Sequence, residues 1–208
     1  MDAVTATVQM TAREFLALPE DPYGRRAQLV EGELVMNEPT WMHGRSQLVI
    51  GAAFEDWTSG VPARGCAGPP IDVQLDERNV YRPDIVWYAQ GRVPRRTDPR
   101  PYPVPDLVVE VRSPSTWRFD IGAKKSNYEL HGARELWLVD TAGDVVFVFR
   151  RSTPQAPGFD VSLDLSPGET LTSPLLPGFG LAVDKIFEIF LNTGESLRWL
   201  AEINPTPD

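Results

Sequence analysis

The chain has a single cysteine, Cys66, and only two histidines, His43 and His131, in 208 residues. One cysteine excludes an intrachain disulfide and a thiolate metal cluster. The two histidines are far apart in sequence and have no metal-ligand spacing. No apolar run approaches the roughly 18 residues that span a bilayer. The opening Met1-Asp2-Ala3-Val4-Thr5 has neither the basic segment nor the apolar stretch of a secretory signal, so a cytoplasmic protein without membrane contact is the expectation. Positive charge is also scarce, since 20 Lys and Arg against 29 Asp and Glu leave a formal net charge of -9. That weighs against a broad surface for nucleic acid, because phosphate contacts need cations in excess. A local basic groove stays possible: Arg92, Arg95, Arg96 and Arg100 form one cluster, and Arg112, Arg118, Lys124 and Lys125 another. Internal repeats, heptads and low-complexity segments are missing too.

What is present fits one α/β domain spanning residues 1–208, with 42% hydrophobic and 24% charged residues. Thr11-Ala12-Arg13-Glu14 has the capping-box pattern and opens a short helix stopped at Pro19. Gln28 to Glu31 and Glu33 to Met36 flank Gly32 as a hairpin. The spacing of Ile50, Phe54 and Trp57 predicts a helix from about Trp41 to Thr58. Strands follow over 71–75 and 79–88, and an Arg- and Pro-rich loop over 89–105. After a strand around Glu110 come a helix from about Asp120 to His131 and strands over 135–140 and 145–149. The tail adds one or two strands and a helix near 184–191. The strand-helix-strand run from 107 to 139 predicts a crossover unit in a mixed sheet.

Pro105-Asp106-Leu107-Val108-Val109-Glu110-Val111-Arg112 places a carboxylate inside an aliphatic strand. A buried unpaired charge costs several kcal/mol, so a cation close to Glu110, or a retained proton, is required. Tyr81-Arg82-Pro83-Asp84-Ile85-Val86-Trp87-Tyr88 repeats the arrangement, with Asp84 opening the strand. Strand alternation puts Val108, Glu110 and Arg112 on one face; if the two strands pair, both carboxylates can reach one divalent ion. Hard oxygen donors of this kind suit Mg²⁺ or Mn²⁺, and the following Asp120-Ile121-Gly122-Ala123-Lys124-Lys125 offers a cation. Two carboxylates and a lysine point to metal-assisted phosphodiester cleavage. Asp120 reads as a helix N-cap and Tyr128 as core. Cys66 has no activating neighbour.

Asp84 within Arg-Pro-Asp, Glu110 within Val-Val-Glu-Val-Arg-Ser-Pro-Ser, Lys124 four before Tyr128, and Glu135-Leu136-Trp137-Leu138-Val139-Asp140 together resemble the Uma2 family, formerly DUF820. So do the hairpin Leu29 to Val35, the helix start at His43-Gly44, and Leu176-Pro177-Gly178-Phe179. The resemblance covers residues 11 to 190. It implies a PD-(D/E)XK restriction endonuclease-like α/β core, with a mixed sheet flanked by helices. It also implies Asp84 and Glu110 as ligands of Mg²⁺ (or Mn²⁺), Lys124 in the lysine role, and Glu31 as an additional acid. DNA is the expected substrate and a homodimer the expected assembly.

One residue departs from the pattern. Arg112 stands where the lysine two after the glutamate is usual, and on the same strand face it could simply pair with Glu110. A non-catalytic binding or assembly module that kept the nuclease fold is therefore the alternative. A metal-free carboxylate hydrolase acting on sugars is the weaker third.

Overall fold

The computed structural model describes residues 9–19, 27–59 and 61–188. The first helix, α1 (Ala12–Leu16), carries the full capping box, with Thr11 and Glu14 satisfying each other's main-chain N–H groups. The hairpin β1 (Ala27–Val30) and β2 (Glu33–Met36) turns at Glu31 and Gly32, both with positive φ, which glycine adopts without steric cost. Helix α2 spans Trp41–Thr58, capped by the Thr40 hydroxyl, and buries His43, Ser46, Ile50, Phe54 and Trp57.

Two sheets follow. The smaller has the order β2-β1-β5-β4, with β4 at Val73–Gln74 and β5 at Val80–Tyr81. The larger has six strands, β10-β9-β8-β7-β6-β3, with β3 at Cys66–Gly68, β6 at Ile85–Tyr88, β7 at Leu107–Val111, β8 at Glu135–Asp140, β9 at Val145–Arg150 and β10 at Val161–Leu165. Among the described strands only β7 and β8 pair in parallel, and the expected crossover unit lies there. A two-stranded ribbon, β11 (Thr170–Leu171) and β12 (Leu181–Ala182), precedes α5 (Val183–Phe187). Among the described residues the tail thus holds three strands rather than one or two. Residues 189–191, expected to end the last helix, lie outside the described residues.

Two further expectations change. The run 79–88 is not one strand: it divides between the sheets, and Arg82-Pro83-Asp84 is the crossing point. Pro83 lacks the N–H that a continuous ladder needs. The segment expected as a helix from Asp120 begins earlier and is kinked. It runs as α3 (Trp117–Phe119), a π-helical segment (Asp120–Lys124) with Gly122 out of helical geometry, and α4 (Lys125–Leu130).

The large sheet is covered on both faces. Leu107, Val109 and Val111 of β7 pack into a core with Ile50, Phe54 and Trp57 of α2 and Ile186 of α5. Val108 packs on the other side with Tyr128, Leu136 and Leu138. Both faces being buried explains why β7 and β8 read as nearly continuous apolar runs.

Candidate active site

Strands β6 and β7 are antiparallel, with Ile85 opposite Val109 and Val86 opposite Val108. The same register carried one step outward sets Asp84 opposite Glu110. Two hydrogen bonds fasten this end: Asp84 N–H donates to the Val109 carbonyl at 3.1 Å, and Val111 N–H donates to Asp84 Oδ2 at 2.6 Å. The strands do pair at these residues, and the Asp84 charge is felt at Glu110.

Glu110 is 3% exposed and has the cation that its burial demands. Lys124 Nζ lies 2.6 Å from its Oε1, and the Tyr128 hydroxyl donates to the same oxygen at 2.7 Å. Lys124, 1% exposed, also reaches Asp120 Oδ1 at 2.8 Å, and its Nζ sits over the Tyr81 ring. Asp120 takes a further bond from the Thr116 hydroxyl. One ammonium thus serves two buried acids, with a third, Asp84, close enough to act on both electrostatically. The Glu110 carboxyl is pushed up to about 7, first by burial and then by the charges of Asp120 and Asp84, against the opposing pull of Lys124. Asp120 is raised for the same reasons. Burial works against the Lys124 charge, but its two carboxylate partners outweigh burial and raise its pKa.

Two helical side chains one turn apart grip Asp84 from α2. His43 Nε2 lies 3.0 Å from Oδ1, and Gln47 Nε2 donates to the Asp84 main-chain carbonyl at 2.9 Å. Burial alone would lower the His43 pKa. The Asp84 bond and charge, with the Arg112 main chain and the Glu110 charge, raise it instead. Its Nδ1 is buried with no well-formed hydrogen bond among the described residues, although the Arg112 main chain is close enough to act on the ring. Beside α2 a cleft of about 670 Å³ opens onto Asp84, walled by Gly44, Gln47, Gly51, Gly68 and Ile85.

The remaining sequence-level candidates fall as follows. Glu31 stays exposed at the hairpin turn, where its main chain bonds Asn79 and Arg78. Its charge reaches Tyr81, but its carboxylate lies outside the hydrogen-bonded set of the other acids. Arg112 does not pair with Glu110. It binds Asp140 at 2.7 Å and lies over the Trp117 ring, because β8 runs parallel to β7 and ends in Asp140 beside it. Asp120 is not an N-cap, since the helical chain already begins at Trp117; it is a buried acid of the site. Tyr128 is core, as expected, and also a hydrogen-bond donor to the site. His43, which the sequence marks only by its place near a helix start and its lack of metal-ligand spacing to His131, does reach the site through Asp84. No local signal marks His43 or Gln47 beyond their i, i+4 spacing; the contact depends on how α2 docks. Cys66 is exposed, and partial burial with the Glu55 charge pushes its thiol up, away from reactivity.

Among the described residues no cluster of three or more His, Cys, Asp or Glu is spaced to hold a metal by itself. An ion between Asp84 and Glu110 would complete its shell with main-chain oxygen and water, the habit of Mg²⁺. The chemistry of the donor set fits such an ion: hard carboxylate oxygens at facing strand positions, with more negative charge than Lys124 alone offsets.

A mixed α/β sheet with paired acids at one end of an antiparallel β-hairpin, and a lysine from the crossover helix, defines a nuclease-like fold. The chain belongs to the Uma2 family, whose model, described as "Putative restriction endonuclease", matches residues 12–184. Among solved structures it is similar to one from Anabaena variabilis, described as a "putative nuclease belonging to DUF820". The two are 21% identical with a TM-score of 0.70, over 86% of this chain and 97% of that one. No curated protein matches the chain.

Proposed function

We propose that this protein is a divalent-metal-dependent endonuclease that hydrolyses phosphodiester bonds, with DNA as its substrate. The observation that carries the reading is the facing of Asp84 and Glu110 across the β6–β7 register, with the Lys124 ammonium 2.6 Å from Glu110. Asp84 and Glu110 would hold the ion, Mg²⁺ or Mn²⁺. When bound, such an ion polarises a phosphoryl oxygen and lowers the pKa of a coordinated water. The protein's own groups do the rest. Lys124 keeps its proton, so it is a fixed positive charge and not a general base; it offsets charge developing at phosphorus. His43 and Gln47 hold Asp84 in place from both its side chain and its main chain. Tyr128, donating to Glu110 Oε1, fixes which oxygen of that carboxylate faces outward.

One observation favours a second reading. Lys124 and Tyr128 already satisfy Glu110 internally, which is how a structural charge in a non-catalytic module would be held. Titration calorimetry with Mg²⁺ and Mn²⁺, paired with a plasmid and oligonucleotide cleavage screen on wild type and Glu110→Gln, separates the two. The nuclease reading expects metal binding and cleavage that both vanish in the variant. A wild type that binds no metal moves the assignment to the module.

A further inference from the structure

The cleft of about 670 Å³ that opens onto Asp84 has room for a small aromatic ring system. Gly44 and Gly51 line it on the α2 side, and Ala67, Gly68 and Pro69 on the side of β3. None of its lining residues is Lys, Arg or His; the two acids among them are Asp84 and Glu55. Glu55 lies eight residues beyond Gln47, whose side chain bonds the Asp84 carbonyl, so it is about 12 Å further along the helix. Its charge acts on Cys66 of β3, across the cleft.

The two glycines of α2 are not required by packing. A Cβ at Gly44 or at Gly51 would meet nothing within 4 Å, yet glycine costs a helix interior about 1 kcal/mol relative to alanine. They are seven residues apart, within about 20° of each other around the axis, and both face the cleft. Larger side chains at these positions would occupy the space beside Asp84.

Charge decides what can enter. A phosphate seated in the cleft would meet carboxylates and, among the described residues, no cation. A neutral flat ring meets Leu48, Ala52 and Ile85 instead, and a ring carrying an amine can donate it to Glu55. With a phosphate at the Asp84 end, the nucleobase next to it has this shape and this chemistry. In a duplex the faces of a base are stacked and its amine is paired, so it enters such a cleft only by leaving the helix. We propose that the cleft is a subsite for one unpaired nucleobase with an exocyclic amine, beside the bond that is cut, and that single-stranded DNA is the preferred substrate. The inference rests on the nuclease reading, since Asp84 sets which end of the cleft holds the phosphate.

Anisotropy of labelled oligonucleotides with the full chain in Ca²⁺, run beside Mg²⁺ calorimetry, tests it. The wild type is expected to bind a cytosine-only single strand about tenfold tighter than a duplex of equal length. It should also bind that strand about tenfold tighter than a thymine-only strand, because thymine has no exocyclic amine. Tenfold is about 1.4 kcal/mol, within the range of one stacked base. Gly51→Leu fills the cleft with a good helix former and should bring the single strand down to the duplex level, with Mg²⁺ affinity and melting temperature maintained. Glu55→Ala should erase only the preference for cytosine over thymine. A wild type that binds Mg²⁺ but shows no preference for the single strand overturns the subsite and leaves the nuclease reading standing. So does a Gly51→Leu protein that keeps the single-strand preference, or a Glu55→Ala protein that keeps the cytosine preference. A wild type that binds neither Mg²⁺ nor any of the oligonucleotides overturns both.

Discussion

Glu135 is a buried carboxylate that only holds the fold together. Ser173 and Trp137 donate to its two oxygens, and the charges of Arg150 and Arg134 also act on it. Glu110 differs in kind, because its neighbours include two more acids and only one cation. Folded Glu110 keeps its proton up to about 7, while in the unfolded chain it ionises near the ordinary glutamate value, roughly 4.3. Below that lower value both states are protonated; between the two, the folded state holds a proton that the unfolded state has released. Metal-free stability therefore falls as pH rises through this window. The raised Asp120, Glu135 and His43 add in the same direction. Melting curves across the window are expected to show the decline, with a shallower slope in Glu110→Gln. Lys124→Met should do more damage, about 3–5 kcal/mol, because it strands two buried acids; denaturant unfolding at neutral pH measures it, and acid should recover part of the loss. His43→Ala leaves Asp84 in place but loosely held. Metal affinity by calorimetry is expected to drop about 10- to 100-fold, the usual cost of losing a ligand's supporting partner.

At the scale of elements, the β6–β7 hairpin and α2 make the site, and they were not equally legible in the sequence. An acid interrupting Leu107-Val108-Val109 is visible without a structure, because an aliphatic strand tolerates it only for a reason. Asp84 was visible by the same logic, and Lys124 through its spacing to Tyr128 in the family pattern. The grip of α2 on Asp84 was not visible, since the pattern of a helix shows which face is buried but not what it is buried against. Asp120 misled because an acid ahead of a helical pattern resembles a cap, and only the earlier start at Trp117 shows otherwise. Substitutions at two glycines, one in α2 and one just ahead of β3, test the packing. A Cβ at Gly51, inside α2, would meet nothing within 4 Å, so Gly51→Ala is expected to stabilise by about 1 kcal/mol through helix propensity. Gly65 has φ of +73°, and a Cβ there would come within 2.2 Å of the Tyr88 carbonyl. Gly65→Ala is expected to destabilise by about 2 kcal/mol or more as β3 is pushed off β6. Melting temperatures of the two variants should move in opposite directions.

Across the whole molecule, the two basic segments of the sequence are attached at opposite ends of the β6–β7 pair. The Arg-rich loop 89–105, which carries one of the two basic clusters seen in the sequence, joins β6 to β7 at the end away from Asp84 and Glu110. Five residue steps of extended chain lead from Asp84 to Ala89, about 16 Å at the usual strand rise. The loop is also tied down: Arg92 binds Asp106 at 2.6 Å, and Tyr102 is bonded to Asp72 and Gln74 across β4. The cations at the carboxylate end come from the segment after β7, where Arg118 is exposed over the Phe119 ring. A protein of net charge -9 has few phosphate contacts to distribute, so each should register in the salt dependence of binding. Reversing Arg118 to Glu is expected to weaken binding of a labelled oligonucleotide, measured in Ca²⁺, and to reduce the slope of log affinity against log salt by about 1. Reversing Arg95 and Arg96 together should leave both affinity and slope near the wild-type values. If the pair at 95 and 96 carries the salt dependence and Arg118 does not, nucleic acid approaches the opposite end of the hairpin, and the facing carboxylates cannot be where it is cut.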